Sequence, residues 1–571
     1  MLDRIHKFLK NNGVENTLVE DHLVIDLMIG EQPVRLSATL GKDFPRSLPT
    51  FHLLERSQYG ALAHVGWNPN PQSPEFDKGL VCEGVSVSRS IDFDSPEQVF
   101  CKAMEQVRTL LAGSLLRDEK NRHDIQMEFA GHWAFAGSQS SSRVMSFIEP
   151  GDSLREIQSL TCTEGVHRSR TILIDVRVAT VNEHYELLGK LRTRSQVEGK
   201  AIYLPVTNEL MPPCPGQLTM DWWKSYLETQ NEHPGRSLAD MARRVRAVSF
   251  WVLGSVRTVA DRNNWFAIRF KSKEKTNIPV TVDNCKDWTA DAVSVVVHNR
   301  EFLLPRGGAS TSSGSGRIAV VGCGSVGGEV ARLLASSGVD KLTLVDPESY
   351  EIENIYRHTL GSGKIGVKKT TALAEELQAK FPYLSVKTRE ISYLEHCLDE
   401  EFLEEHKGIV VATGDATAER YFDAQLRTSE KRPWVIYCWV EGLGVGGHAV
   451  YVHSTGQGCL GCLFRDGSGN RSLASIQNFI APEQEIAIDI AGCGTHFLPY
   501  SYTDAVQSAI LAVRLAQQAL EGRLDQSCRI SWKGNVELDP KIRTTHRFEV
   551  FDQSLAPMDL HWEGCNVCTT G

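Results

Sequence analysis

The chain opens on a polar segment of helical period, MLDRIHKFLKNNGVENT, followed by apolar alternation over residues 23–29 and 34–38 that predicts two strands. A helix is expected over 96–112, where apolar residues recur every three or four positions. Between 115 and 145 the runs LLRDEKNRHD and SQSSSR break the pattern with charge and serine and suggest a boundary. From about 150 to 305, TILIDVRVATV and KAIYLPV read as strands and SLADMARRVRAVSFWVLG as a helix, without a chemical motif or an internal repeat. The run GGASTSSGSG at 307–316 has the composition of a flexible linker. After it, RIAVVGCGSVGGEVARLLASSGVDKLTLVDPE reads as strand, glycine turn, amphipathic helix with Val330, Leu333 and Leu334 on one face, and a second strand over 341–345. A long amphipathic helix is expected at 504–520.

A chain of 571 residues exceeds one hydrophobic core and suggests about three domains at roughly 100–200 residues each. With 61 basic against 71 acidic residues and a formal net charge of -10, sequence-independent binding to nucleic acid is not expected. The N-terminus lacks a basic segment followed by an apolar core, and no run of 18 apolar residues occurs, so a cytoplasmic protein without a membrane partner is expected. The 14 cysteines are scattered over the chain, which suits core thiols, zinc ligands or nucleophiles better than a disulfide framework.

Four places carry candidate chemistry. Gly322-x-Gly324-x-x-Gly327 opens a helix, with Asp346 at the end of the next strand, as in any dinucleotide-binding fold. The cationic and polar residues that follow, Asn354, Arg357 and Lys369, suit a nucleoside triphosphate better than hydride transfer. The pairs Cys459/Cys462 and Cys565/Cys568 are each spaced C-x-x-C and together offer a closed, structural tetrahedral zinc site; four core thiols or a redox pair are the alternatives. Cys493, between Gly492 and Gly494 and ahead of the 504–520 helix, is a packed thiol or a nucleophile activated near a helix N-terminus. Cys82, in GLVCEG after a histidine at 64, is by itself a cysteine beyond a glycine turn.

From residue 317 to 571 the ordered set resembles the adenylation domain of the ubiquitin-activating superfamily, which includes the ThiF-type molybdopterin- and thiazole-biosynthesis adenylyltransferases. The resemblance implies that ATP binds with its ribose on Asp346 and its phosphates on Asn354, Arg357 and Lys369, and that Asp415, in IVVATGDATAER, binds Mg2+. It further implies that the four cysteines hold Zn2+, that the chain forms a homodimer, and that Cys493 in a crossover loop is the thioester nucleophile. An arginine often supplied by the partner subunit in this family has no match here.

Residues 1–115 resemble ubiquitin-conjugating enzymes: Phe44-Pro45, Pro49, His64 and Gly79-Leu80-Val81-Cys82 keep the order of that family's motifs. Val65-Gly66 replaces the usual Pro-Asn after the histidine, and GWNPNPQSPEFDK lengthens the approach to Cys82. Asn68, Asn70 and His64 are the candidates to replace the missing asparagine. The expected fold is therefore α/β in three parts: an α+β ubiquitin-conjugating-like domain at 1–120, a connecting domain at 121–306, and a Rossmann-like adenylation domain at 317–571 with a structural zinc site.

Such a fusion resembles those of bacterial CBASS anti-phage operons. The resemblance implies ATP-dependent adenylation of a protein C-terminus, thioesters on Cys493 and then Cys82, and an amide to a target lysine. The acyl donor it implies is a cGAS-like nucleotidyltransferase or a ubiquitin-like protein. A sulfur-carrier adenylyltransferase and a non-catalytic ATP-binding scaffold are the alternatives.

Overall fold

The structure, a computed structural model, describes all residues except 68–76, 83–90, 138–142, 165–167, 176–180, 194, 207–209, 215, 230–233, 259–261, 310–315, 392–396, 467, 490–495, 566 and 569–571. The chain divides into two compact units, Met1–Thr180 with Leu191–Asn299, and Val181–Lys190 with Arg300–Gly571.

The first unit begins with helix Leu2–Asn11 and a five-stranded antiparallel meander: Asn16–Val19, His22–Ile29, Gln32–Thr39, Thr50–Leu54 and Lys78–Leu80. Alternation sends Leu23, Ile25 and Ile29 inward. There they meet Ile5 and Leu9, one helical turn apart, and Phe100, Ala103, Val107 and Leu111 of helix Pro96–Leu115. The charged run that breaks the sequence pattern is itself helical, Asp118–Met127, and continues into helix Phe129–Ala136. Ile125, Phe129 and Trp133 are among its buried residues, and Trp133 Nε1 donates to Val293 O at 3.1 Å.

The remainder of this unit is a closed seven-stranded barrel in the order Arg246–Arg257, Asn263–Asn277, Thr289–Val297, Arg143–Ser146, Arg168–Ile174, Arg155–Glu164 and Ser195–Val206. The segment expected as one helix, SLADMARRVRAVSFWVLG, is instead helix Pro234–Arg244 followed by a barrel strand from Arg246. Its residues are buried on both faces: Trp251 and Leu253 pack with Tyr203 and Ala267, while Phe250 and Val252 pack with Trp222, Trp223 and Phe266. A strand covered on both sides has no polar alternation to announce it.

The second unit is built on an eight-stranded sheet in the order Ser385–Arg389, Lys341–Val345, Arg317–Val321, His406–Val411, Trp434–Val440, Gly446–Val452, Cys528–Lys533 and Met558–Asp559. The first five are parallel and the last three antiparallel. Helices Ser325–Ser336, Lys369–Lys380 and Tyr502–Leu520 cover one face, against Ile318, Val320, Leu342 and Leu344. Helix Ala416–Leu426 packs on the other, against Ala319, Val321, Ile409 and Val411. The strand order reverses between Arg317–Val321 and His406–Val411, the position at which open parallel sheets bind ligands beyond their carboxyl ends. No helix among the described residues is long and apolar enough to cross a membrane.

Candidate active site

At that reversal point lies a cavity of about 450 Å3. Its lining includes Gly324 and Ser325 from the glycine turn, Asn354, Arg357 and Lys369 from the anticipated cationic set, and Thr413 and Gly414 after the next parallel strand. The turn depends on its glycines. Gly322 has φ +82°, and a Cβ on Gly327 would stand 1.7 Å from Gly322 O, so helix and turn approach as closely as backbone permits.

Asp346 is only 6% exposed. Its Oδ2 accepts the Cys323 N–H at 2.6 Å and its Oδ1 the Glu348 N–H at 2.8 Å, so the carboxylate ties the strand end to the glycine turn. Asp415 caps helix Ala416–Leu426, with Oδ1 accepting from Thr417 N and Ala418 N at 3.0 Å. Asp346 and Asp415 thus stand beside the lining rather than on it.

Lys369, 5% exposed, has Nζ 2.5 Å from Glu348 Oε2 on the cavity wall. Arg357 lies with its guanidinium 5.8 Å from the centre of the Tyr500 ring, and Tyr500 OH is 2.7 Å from Ser325 Oγ. Asn354 Oδ1 accepts the Glu351 N–H at 3.2 Å.

Two further residues here were not anticipated. His358 lines the cavity; its Nδ1 accepts the Leu360 N–H at 3.1 Å, so Nε2 carries the proton donated to Cys323 O at 2.8 Å. Burial pushes its pKa down, which favours the neutral ring. Glu419 accepts from Thr413 Oγ1 at 2.8 Å and Gly414 N at 3.1 Å, fixing the loop that lines the cavity, and burial raises its pKa to about 7. Its only sequence signal is a place one turn beyond Asp415.

The four C-x-x-C cysteines converge. Cys459 Sγ lies 3.8 Å from Cys462 Sγ and 3.6 Å from Cys565 Sγ, Cys462 Sγ lies 3.5 Å from Cys568 Sγ, and all four sulfurs fall within 4.8 Å of one another. A Zn–S bond of about 2.3 Å in a tetrahedron gives sulfur edges of roughly 3.8 Å, so the cluster has the dimensions of a four-thiolate zinc site with no open position.

In the first unit Cys82 is exposed and lines a largely apolar pocket of about 480 Å3, with Val65, Gly66, Leu80, Met127 and Phe135 and with His64, Glu128 and His132. Gly79 of the GLVC motif is required by packing: a Cβ there would meet Val65 Cγ1 at 2.6 Å and Gly66 O at 2.9 Å. Cys493, the anticipated thioester cysteine, lies outside the described residues, as do Asn68 and Asn70.

The ThiF family model matches residues 307–520. The ATP-dependent ubiquitin transferase-like protein Cap2 of Vibrio cholerae is 27% identical over 288 residues, covering 47% of this chain and 44% of that protein. Cap2 of Escherichia coli is 30% identical over 238 residues, covering 38% and 37%. The chain thus spans less than half the length of these curated relatives. A crystal structure of E. coli MccB with ATP is 17% identical, with a TM-score of 0.31, over 45% of this chain and 68% of that one. Residues 307–520 are a ThiF-family domain of Rossmann type, in a chain homologous to the Cap2 ubiquitin transferase-like proteins over about half its length.

Proposed function

We propose that the chain is an ATP-dependent conjugating enzyme that activates a protein C-terminus and delivers it to an amine. The observation that carries this reading is the cavity at the sheet's reversal point, in which Arg357, Lys369 and Asn354 meet the glycine turn inside a ThiF-family domain. These groups supply the positive charge and backbone donors that a triphosphate needs. Asp415 keeps Oδ2 without a hydrogen bond among the described residues, and so has an oxygen to offer Mg2+. Asp346, beside the turn, would meet the ribose.

The chemistry is a relay. The carboxylate displaces pyrophosphate from ATP to give an acyl-adenylate; Cys493 displaces AMP; Cys82 receives the acyl group by thioester exchange; a lysine amine takes it as an amide. Likeness to Cap2, an ATP-dependent ubiquitin transferase-like protein by name, supports this reading over a sulfur-carrier adenylyltransferase. In the reading we favour, the acyl donor is a cGAS-like nucleotidyltransferase in anti-phage defence, with a ubiquitin-like protein as the second candidate. The enzyme acts as a homodimer in the cytoplasm, and zinc on the four cysteines ties the C-terminal segment to the body of its unit.

ATP–pyrophosphate exchange tests the first step. Exchange that needs both Mg2+ and a cognate protein C-terminus, and that Asp415→Ala nearly abolishes, is the expected result; undiminished exchange in that variant removes Asp415 from the site.

A further inference from the structure

Val65 and Val81 form an isolated antiparallel bridge flanked by Cys82 N donating to His64 O at 2.7 Å and Gly66 N donating to Leu80 O at 2.8 Å. The bridge sets His64 directly opposite Cys82, and both line one pocket. His64 has φ +62°, a left-handed conformation that a histidine adopts only when its surroundings impose it. The surroundings are explicit. Asn121 Oδ1 accepts the Ala63 N–H at 2.8 Å while its Nδ2 donates to Ala61 O at 2.9 Å, and Glu128 Oε2 accepts the His64 N–H at 2.9 Å.

Glu128 also takes the ring. Its Oε1 lies 2.5 Å from His64 Nδ1, whereas Nε2 stands 3.5 Å from Asp124 Oδ2, beyond a strong hydrogen bond. An imidazole whose Nδ1–H is held by a carboxylate carries its basic lone pair on Nε2, and His64 lines the same largely apolar pocket as Cys82. Strain, two separate bonds to one carboxylate and a nucleophile across the bridge are more than a loop anchor requires.

We propose that His64, held by Glu128, is the proton acceptor at Cys82, taking the proton that an attacking amine sheds. The proposal rests on the reading of Cys82 as an acyl carrier. As the N–C bond forms at the thioester carbonyl, His64 Nε2 takes a proton from the amine nitrogen. The C–S bond then breaks with its electron pair on Cys82 sulfur, and the imidazolium returns the proton to that thiolate. Thioester and amine become amide and thiol, and Glu128 stays ionised throughout. His64 thereby supplies base catalysis in a segment where Val65-Gly66 replaces Pro-Asn.

The groups facing His64 are Glu128 and Asp124, with His132 3.9 Å from Glu128 and Lys120 paired to Asp124 at 2.5 Å. The bond from Glu128 holds the His64 pKa above its usual value against the opposing effect of burial. The advantage that His64 confers therefore grows as pH rises through that raised pKa.

The test loads Cys82 of the full chain from a synthetic glycine-terminated peptide thioester and follows aminolysis by Nα-acetyl-lysine. His64→Asn tolerates the left-handed backbone but cannot accept a proton. General-base catalysis contributes about 100-fold or more, so His64→Asn should load normally and lose about two orders of magnitude in aminolysis. The ratio of wild-type to variant rate should rise with pH, and in Glu128→Gln that rise should move to lower pH. Normal aminolysis by loaded His64→Asn would overturn the proposal and leave the acyl-carrier reading intact. Wild-type Cys82 that cannot be loaded would overturn both. If His64→Asn does not fold, Glu128→Gln decides: an unmoved pH profile contradicts the proposal.

Discussion

Cys459 and Cys565 stand 106 residues apart in the chain and 3.6 Å apart at sulfur, in a cluster that Cys462 and Cys568 complete. Cys565, Val567 and Cys568 thereby pack in one cluster with Leu460 and Leu463 of the Leu460–Leu463 turn and with Phe422 and Leu426 of the 416–426 helix. We expect one zinc per chain by metal analysis. Cys565→Ser or removal of the last seven residues should release it and lower the melting temperature, because binding energy at a closed site is folding energy. Well-folded protein without zinc would contradict this.

Gly327→Ala places a Cβ on Gly322 O. Helix Ser325–Ser336 must shift away from the turn, at a cost of about 1–3 kcal/mol as for other overpacked contacts. The expected outcome in calorimetry is a lower melting temperature together with lost ATP binding. Gly324→Ala meets nothing within 4 Å and should fold like the wild type.

Arg357→Ala and Lys369→Ala should each weaken ATP binding by about tenfold or more, on the scale of one charge-assisted hydrogen bond. They differ in stability. Arg357 is half-buried, so its removal should move the melting temperature little, whereas truncating Lys369, which is 5% exposed, empties buried space and should lower it. Titration calorimetry of ATP on both variants checks the assignment.

The Glu419 carboxyl has its pKa raised to about 7 by burial, well above its unfolded value. The folded chain therefore binds more protons than the unfolded chain between about pH 4.5 and 7, and stability falls with rising pH across that window. Glu419→Gln keeps an acceptor for Thr413 and Gly414 but cannot ionise. Its melting temperature should decline less from pH 5 to 8 than that of the wild type, and parallel declines would reject the assignment.

The β-α-β unit around Gly322 was legible because strand, glycine turn and helix have distinct local signatures, and the C-x-x-C pairs because metal geometry restricts spacing. The barrel was not. Trp251 and Val252 face opposite packed layers, so nothing polar marks their strand. The partners of His64 were hidden for a different reason: Asp124 ends a run whose charge suggests a boundary and Glu128 follows it, yet residues 118–127 are helical, with Ile125 buried and both carboxylates turned toward His64. Which carboxylate meets which histidine is set by packing between segments 60 residues apart, and no local pattern encodes it.

The most direct test of the relay is a non-reducing gel of the full chain charged with ATP, Mg2+ and the candidate acyl donor. Cys493→Ala should form no thioester at all. Cys82→Ala should keep a reducible adduct on Cys493 yet make no lysine-linked product. If Cys493→Ala charges Cys82 at the normal rate, the acyl group passes straight from the adenylate to Cys82, and the two-cysteine relay is wrong.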